Sequence, residues 1–126
     1  MRGARVAKST IKPNYFINVD VSAEGCMNSI QMTKGVGIKM SDSMGVSSLE
    51  LVERLKETAI INDITFQMEV SDCGTSELII TNEFDYRIKE ACISIPCKYL
   101  HSSNLVVNKS DLKECKKLIS EMLKRF

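Results

Sequence analysis

The sequence predicts an α/β fold with a mixed sheet, and three observations support this. Short β-branched segments alternate with amphipathic ones in the order strand, strand, helix, strand, short helix, strand, helix. Residues 91–95 form a short run that favours a strand buried on both faces. Residues 108–126 repeat their apolar side chains at helical spacing. The 126 residues suffice for one domain with its own hydrophobic core.

Charge and hydropathy argue against two classes of partner. The formal net charge is +1, and the basic residues are scattered among acidic ones, whereas a nucleic-acid-binding face needs clustered positive charge. No apolar run is long enough to span a membrane, and the first residues lead into no signal-peptide core. We therefore expect a protein that binds neither nucleic acid nor membrane. The absence of a disulfide framework among its cysteines predicts a reducing cytoplasm as its compartment.

The cysteines predict neither a disulfide framework nor a zinc ribbon, because they are odd in number and show no C-x-x-C pair. Cys92 and Cys115 fall on predicted core faces, where a free thiol behaves as a small hydrophobe. Cys97 precedes the only histidine by four residues. A nucleophilic thiol, however, needs a partner in a defined geometry, which closeness in sequence does not provide. The five cysteines are Cys26, Cys73, Cys92, Cys97 and Cys115.

The first strand is predicted over residues 15–21, after a break at residues 12–14 that follows a short helical tail. Alternation puts Asp20 near the carboxyl end of this strand, on the face that also carries Phe16 and Asn18. A carboxylate there is a ligand, a loop-capping group or a solvated end. The opposite face carries Tyr15, Ile17, Val19 and Val21.

The middle of the chain predicts a strand, a helix and another strand. Residues 35–40 read as a strand in which Gly37 permits close backbone approach. Ser47 and Glu50 have the spacing of a capping box for the helix that follows. Its buried stripe is predicted to be Leu51, Val52, Leu55 and Ala59, and the strand over residues 65–70 is predicted to point Phe66, Met68 and Val70 inward.

The remaining segments lead to the only histidine. A short helix is predicted to end at Ile80, and residues 82–90 are charged and surface-like. Pro96 is predicted to end the strand that begins at residue 91, because proline has no N–H for a sheet. The turn that follows carries His101, and loops at strand carboxyl ends are where open α/β sheets place their sites. The alternative is a capping or surface imidazole.

The closing helix is predicted to begin at Asn108 or Ser110, with Asp111 at its positive end. Its buried face is predicted to comprise Leu112, Cys115, Leu118, Ile119, Met122 and Phe126.

Several segments, taken in order, resemble the C-terminal part of the glutamyl or deblocking aminopeptidases. This is the tetrahedral aminopeptidase family, also labelled cellulase M or endoglucanase-like. The resemblance covers nearly the whole chain and implies a three-layer α/β/α domain, with residues 1–126 as a single partial catalytic domain. The segments are Arg2-Gly3-Ala4-Arg5, Ile17-Asn18-Val19-Asp20-Val21, Gln67-Met68-Glu69-Val70-Ser71 leading to Gly74-Thr75, and Ile93-Ser94-Ile95-Pro96 followed by Tyr99, His101 and Ser102.

The resemblance implies a hydrolase that removes N-terminal residues from peptides. In the family, two divalent metals, usually zinc or cobalt, share a bridging carboxylate and activate a water, and a glutamate acts as general base. Asp20 stands where the family has a carboxylate ligand of one metal. His101 stands where it has the imidazole ligand of the other metal. Both are ligand types that such a site needs.

The resemblance also implies that the site is incomplete. The family's His-x-Asp, its bridging aspartate and its pair of glutamates precede the Arg-Gly-Ala-Arg motif, and the inserted dimerisation domain is expected to be absent. We therefore expect no general base here and no retention of the two metals by this chain alone. Activity would need an upstream segment or a separate chain. The alternative is a non-catalytic remnant, or an α/β module that self-associates as a dimer or higher oligomer through strand edges left open.

Four positions depart from the family's pattern. Ser76 stands where the family usually has an aspartate after Gly-Thr. Asp72 and Cys73 replace glycines in the same loop. Lys98 stands where an arginine is common, which removes a bidentate grip on a carboxylate.

Overall fold

A computed structural model of the chain describes residues 2–25, 30–80 and 87–126. Cys26 and residues 82–86 of the charged segment lie outside the described ranges. The α/β class with a mixed sheet is confirmed, and residues 78–80 are also helical. The helices are α1 (Arg2–Ile11), α2 (Leu49–Ile61) and α3 (Lys109–Leu123), and the strands are β1 (Tyr15–Ala23), β2 (Val36–Ser41), β3 (Phe66–Val70), β4 (Lys89–Lys98) and β5 (Val106–Val107).

The sheet has the strand order β1-β4-β2-β3, with β5 also paired to β4. β1 runs parallel to β4, β2 runs antiparallel to β4, and β3 runs parallel to β2. The carboxyl ends of β1 and β4 therefore meet at one edge of the molecule. No helix in the described ranges is long and apolar enough to cross a membrane.

One face of the sheet is apolar and packs against α2 and α3. Ile38 and Ile93 are cross-strand partners on this face and are fully buried. Leu55 of α2 and Leu118 of α3 belong to the same core cluster. Each such side chain contributes roughly 1.5–3 kcal/mol by leaving water, so this face supplies much of the stability. The predicted α2 stripe is confirmed, because Leu51, Val52, Leu55 and Ala59 are all buried.

The opposite face of the sheet is polar yet buried. It carries Asn18 on β1, Lys39 on β2, Glu69 on β3, and Glu90 on β4. α1 covers one end of this face, since its buried Lys8 is close enough to influence the carboxyl group of Glu90. Residues 71–80 return across the other end, where the Ser76 hydroxyl meets the thiol of Cys92. Helical segments on both faces give the three-layer arrangement.

The prediction that Pro96 ends its strand is wrong, because β4 continues to Lys98 and Pro96 pairs in register with Ser22. Odd-numbered β4 residues bond to β1, as the Lys89 N–H does to the Asn14 carbonyl. The backbone of Pro96 therefore faces the other side. Its missing N–H costs no ladder bond there, because the β4 residues that pair with β2 reach only Ser94 and those that pair with β5 begin at Cys97.

The prediction for β3 is confirmed at Phe66, which packs against the core cluster, and is wrong at Met68 and Val70, which are 41% and 50% exposed. Glu69, on the other face, is fully buried. β3 is the last strand of the sheet, and the helix layer leaves its later residues exposed. Lys39 and Ser22, which lie on the same polar face as Glu69, compensate for the burial of its carboxylate.

The helix starts also differ in detail from their predictions. Ser48, not Ser47, is the N-cap of α2, and its side chain makes no cap hydrogen bond. The Ser48 hydroxyl instead accepts from the Glu90 N–H at 2.9 Å. In α3 the predicted cap Asn108 is confirmed, since it accepts from the Ser110 N–H at 2.8 Å.

The buried face of α3 differs from the prediction at three positions. Leu112 and Phe126 are exposed, whereas Asp111 is buried. The Asp111 carboxylate accepts from the Thr33 and Gly35 N–H groups at 2.7 and 3.0 Å, which ties the loop before β2 to the helix.

Candidate metal site

A cavity of about 240 Å³ lies where β1 and β4 end, and we call it the site cavity. Asp20 and His101 both line it, so the fold brings together two residues that are far apart in the sequence. The cause is topological: parallel pairing of β1 and β4 brings their carboxyl ends side by side. The other residues that line the cavity are Val21, Ser22, Ala23, Lys39, Cys73, Gly74, Thr75, Ser76, Leu100, Ser102 and Leu105.

Asp20 is partly exposed at the mouth of the site cavity. Its Oδ1 accepts from the Val21 N–H at 2.8 Å, which fixes the orientation of the carboxylate. No other hydrogen bond from the described residues reaches this carboxylate. The second oxygen is therefore free to accept a ligand.

His101 is exposed in the turn after β4, and no described residue hydrogen-bonds its ring. Both Tyr99 and His101 adopt left-handed backbone conformations, with φ of 58° and 61°. Non-glycine residues rarely do so, at a cost of about 1–3 kcal/mol each, and such strain concentrates at functional sites. Ser102 stabilises the turn, because its N–H and hydroxyl donate to the Tyr99 carbonyl at 3.2 and 2.6 Å.

A buried ion pair lies at the floor of the site cavity. The Lys39 Nζ is 3.4 Å from the Glu69 Oε1, and the Ser22 hydroxyl donates to the same oxygen. The Glu69 Oε2 has no hydrogen-bond partner among the described residues. The positive charge of Lys39 is thus compensated within the floor, which makes the floor polar and close to neutral.

The loop over residues 73–76 is held against the cavity by Asp42. Its Oδ2 accepts from the Ser76 N–H and hydroxyl, and its Oδ1 accepts from the Met44 and Gly45 N–H groups at 2.9 Å. Burial alone would raise the pKa of Asp42, but these hydrogen bonds outweigh it and hold the pKa below the ordinary value. An aspartate at position 76 would place two carboxylates in contact, whereas Ser76 donates to Asp42. Sequence reasoning missed Asp42, because its contact with Ser76 is long-range.

The structure argues against a nucleophilic Cys97. Its thiol is buried, and burial followed by the nearby charge of Asp20 raises its pKa. Burial likewise raises the pKa of Cys92 to about 12 and that of Cys115 to about 11. Cys73 differs, since it is exposed and lines the site cavity.

The described residues do not form a complete metal site. No group of three His, Cys, Asp or Glu side chains among them could hold an ion. Asp20 and His101 offer a carboxylate and an imidazole, which suit divalent metals such as zinc. A catalytic zinc nevertheless needs three protein ligands. The donor types fit, and the donor number is that of a partial site.

The sequence model of the M42 glutamyl aminopeptidases matches residues 1–118. The chain belongs to this family. M42 peptidases are metal-dependent aminopeptidases, so the resemblance drawn from the motifs is confirmed at the level of family.

Known relatives are much longer than this M42 chain. A candidate aminopeptidase of Acetivibrio thermocellus is 30% identical over 98% of the chain, which spans 39% of that protein. The TET1 peptidase of Pyrococcus horikoshii, which assembles into a tetrahedron or a large octahedral shell, superposes with a TM-score of 0.84 at 27% identity, over 97% of this chain and 36% of that one. An aminopeptidase of Desulfurococcus kamchatkensis shares the fold, with a TM-score of 0.84 at 23% identity over 95% of this chain and 36% of its own.

Proposed function

We propose that this chain is the C-terminal part of a dinuclear metallo-aminopeptidase. In this account residues 1–126 are one partial catalytic domain, without the N-terminal half and the inserted dimerisation domain. Asp20 contributes to one divalent metal, zinc or cobalt, and His101 contributes to the other. The observation that carries the proposal is that these two side chains line one cavity, with their donor atoms free of other described side chains.

The residues at the ends of β1 and β4 and the ion pair beside them have defined tasks in this account. Two divalent metals, when bound, would supply Lewis-acid chemistry that polarises a peptide carbonyl and lowers the pKa of water. The Val21 N–H orients the Asp20 carboxylate, and the strained turn presents the His101 ring. The Lys39–Glu69 pair keeps the floor polar and uncharged overall. The general base and the remaining ligands come from another segment of polypeptide.

A second candidate function is a non-catalytic α/β module that self-associates. The partial site favours it, because Asp20 and His101 would each be the one described ligand of a different metal, and a single ligand holds a metal weakly. The assembly of the Pyrococcus horikoshii TET1 peptidase into closed shells supports a homo-oligomer. For either function we propose a reducing cytoplasm as the compartment, since Cys92, Cys97 and Cys115 are buried and unpaired.

Complementation tests the first candidate. The part of the Acetivibrio thermocellus relative that precedes its match to this chain is fused to residue 1, and release of p-nitroaniline from amino-acid p-nitroanilides is followed with zinc or cobalt. We expect the fusion to be active and the separate chain to be inactive. Asp20→Ala and His101→Ala should each lower kcat/KM of the fusion by more than about 100-fold, since even outer-shell changes cost about 10- to 100-fold.

The matched control for complementation is Glu53→Ala, which removes an exposed carboxylate from α2. It should leave kcat/KM unchanged. An active fusion that keeps its activity after both Asp20→Ala and His101→Ala would overturn the assignment of these two residues. Activity of the separate chain would overturn the partial-site account.

A further inference from the structure

The Lys39 ammonium is a buried cation that faces the site cavity. Its side chain is only 6% exposed, and it is one of the groups that line this cavity. The Lys39 Nζ lies 3.4 Å from the Glu69 Oε1 and donates no hydrogen bond to any other described residue. A lysine ammonium can donate several hydrogen bonds, so N–H groups remain for a ligand in the cavity.

Lys39 lies deeper in the site cavity than the two candidate metal ligands. Asp20 pairs with Ser94 on one side of β4, and Lys39 pairs on the other side with Cys92, two residues further from the carboxyl end of β4. Strand spacing and rise put the Cα atoms of Asp20 and Lys39 about 12 Å apart. The cavity therefore leads from Asp20 and His101 at its mouth to Lys39 at its floor.

Two hydroxyl groups complete the polar lining of the cavity. The Ser22 hydroxyl donates its proton to the Glu69 Oε1, so its oxygen is left to accept. The Thr75 hydroxyl makes no hydrogen bond with a described residue. The cavity thus offers a charged donor at Lys39 and acceptors at Ser22 and Thr75. A carboxamide group satisfies this pattern, because its oxygen accepts and its NH₂ group donates.

The charge of Glu69 makes the floor unfavourable for a second carboxylate. A ligand oxygen at about 2.8 Å from the Lys39 Nζ lies within about 6 Å of the Glu69 Oε1, since the ion pair spans 3.4 Å. A carboxylate in that position is attracted by Lys39 and repelled by Glu69, and it also loses its hydration. An amide oxygen meets the same ammonium without adding a charge.

The size of the site cavity suits a single side chain. Its volume of about 240 Å³ is below the roughly 300–1,000 Å³ of pockets that hold drug-sized ligands. Leu100 and Leu105 give it an apolar wall, against which the methylene groups of a side chain can pack. The rest of a peptide would lie at the mouth.

We infer that the site cavity holds the side chain of the substrate's N-terminal residue, and that Lys39 selects the neutral carboxamide of glutamine or asparagine. This inference deepens the proposed function and rests on it, because that function places the first peptide bond at Asp20 and His101. Lys39 is the specificity-determining residue, and Glu69 is a positioning residue that neutralises the floor. The mouth of the cavity stays available to the segment that completes the metal site.

A comparison of three substrates tests the inference on the fusion described above. The fusion is assayed with the α-p-nitroanilides of glutamine, glutamate and leucine. We expect kcat/KM for the glutamine substrate to exceed the other two by about tenfold or more, because a site built to hydrogen-bond a polar group discriminates against analogues that do not fit it. Ratios between substrates within one preparation do not depend on the fraction of active protein.

Two variants of the floor make opposite predictions. Glu69→Gln leaves the Lys39 charge uncompensated and should reverse the order of glutamine and glutamate. Lys39→Met combined with Glu69→Gln should make leucine the better substrate, and because it removes both charges it stays informative if the single variant does not fold. The matched control Glu53→Ala removes an exposed carboxylate from α2 and should keep the wild-type order.

The possible failures of this test are distinguishable. A wild-type fusion that prefers glutamate to glutamine would overturn the neutral floor, and a double variant that keeps the wild-type order would remove Lys39 from substrate selection. Equal activity on all three substrates would overturn this inference and leave the proposed function standing. A fusion that cleaves none of the three would overturn the proposed function and this inference with it.

Discussion

The Asp42 carboxylate accepts hydrogen bonds from both the N–H and the hydroxyl of Ser76, at 2.7 and 2.6 Å. These two bonds tie the end of β2 to the loop that lines the site cavity. They also give a role to Ser76, the position where the resemblance implies an aspartate. The hydroxyl supplies a proton to Asp42 that a second carboxylate would not.

Replacing Asp42 should destabilise the chain in a pH-dependent way. Because its folded pKa is below the unfolded value, the stabilisation is complete above the unfolded pKa of about 3.9 and is lost as pH falls through the lower folded pKa. Urea unfolding should show Asp42→Asn less stable by about 1–2 kcal/mol at neutral pH, with the difference shrinking in acid. Asp63→Asn, an exposed control, should match wild type. A difference that persists unchanged in acid would contradict this reading.

Replacing Glu90 should stabilise the chain at neutral and alkaline pH. Glu90 is 1% exposed with both carboxyl oxygens unpartnered among the described residues. Burial raises its pKa to about 8, with Lys8 opposing the shift and Asp42 adding to it. The folded state therefore keeps a proton that the unfolded state releases above about pH 4.3, and stability falls as pH rises from there to about 8.

Glu90→Gln removes that titration with little change in shape. Its free energy of unfolding should exceed that of wild type by on the order of 1–3 kcal/mol at pH 8, and the two should converge near pH 4. Urea titrations across this pH range measure the difference. A variant that is less stable than wild type at every pH would show that the ionised carboxylate has a stabilising partner.

The Lys39–Glu69 pair should be strongly coupled. Lys39→Met leaves the buried Glu69 carboxylate uncompensated and should cost about 3–5 kcal/mol, whereas Lys39→Met with Glu69→Gln should cost much less. The exposed pair Lys56–Glu53, at 3.0 Å, is the control, and Lys56→Met should change stability by less than about 1 kcal/mol. Additive single and double variants in a urea-unfolding cycle would contradict the coupling.

The thiols of Cys73 and Cys97 should differ strongly in their rate of reaction with a thiol reagent. In a Cys26→Ser background, an aromatic disulfide reagent should label Cys73 quickly in the folded chain, because its thiol is exposed. Cys97 should react only after unfolding, since it is buried with a raised pKa. Rapid labelling of Cys97 in the native chain, checked by peptide mass analysis, would restore it as a candidate nucleophile.

The local sequence pattern predicted which segments form helices and strands better than it predicted which side chains are buried and how the strands pair. The alternation of β1 and the stripe of α2 were read correctly because side-chain period follows directly from backbone geometry. Pro96 and Glu69 were misread because burial and pairing depend on neighbours in the sheet. β2 stops short of Pro96, and Glu69 lies in an edge strand that the helix layer leaves partly uncovered.

The candidate site could not be predicted from local pattern alone. Asp20 and His101 were identified as ligands through resemblance to a family, because an isolated aspartate or histidine is also compatible with a capping or a surface role. The fold then placed both at one cavity. Asp42 and the Lys39–Glu69 floor gave no sequence signal, because their contacts join residues that no motif connects.

Metal stoichiometry of the fusion with the relative's N-terminal part tests the central claim most directly. After gel filtration in zinc, elemental analysis of the fusion should give two metals per chain, and Asp20→Ala and His101→Ala should each lose one. Glu53→Ala should keep both, and the separate chain should hold neither tightly. Two metals retained after both Asp20→Ala and His101→Ala would contradict the assignment of these residues as ligands.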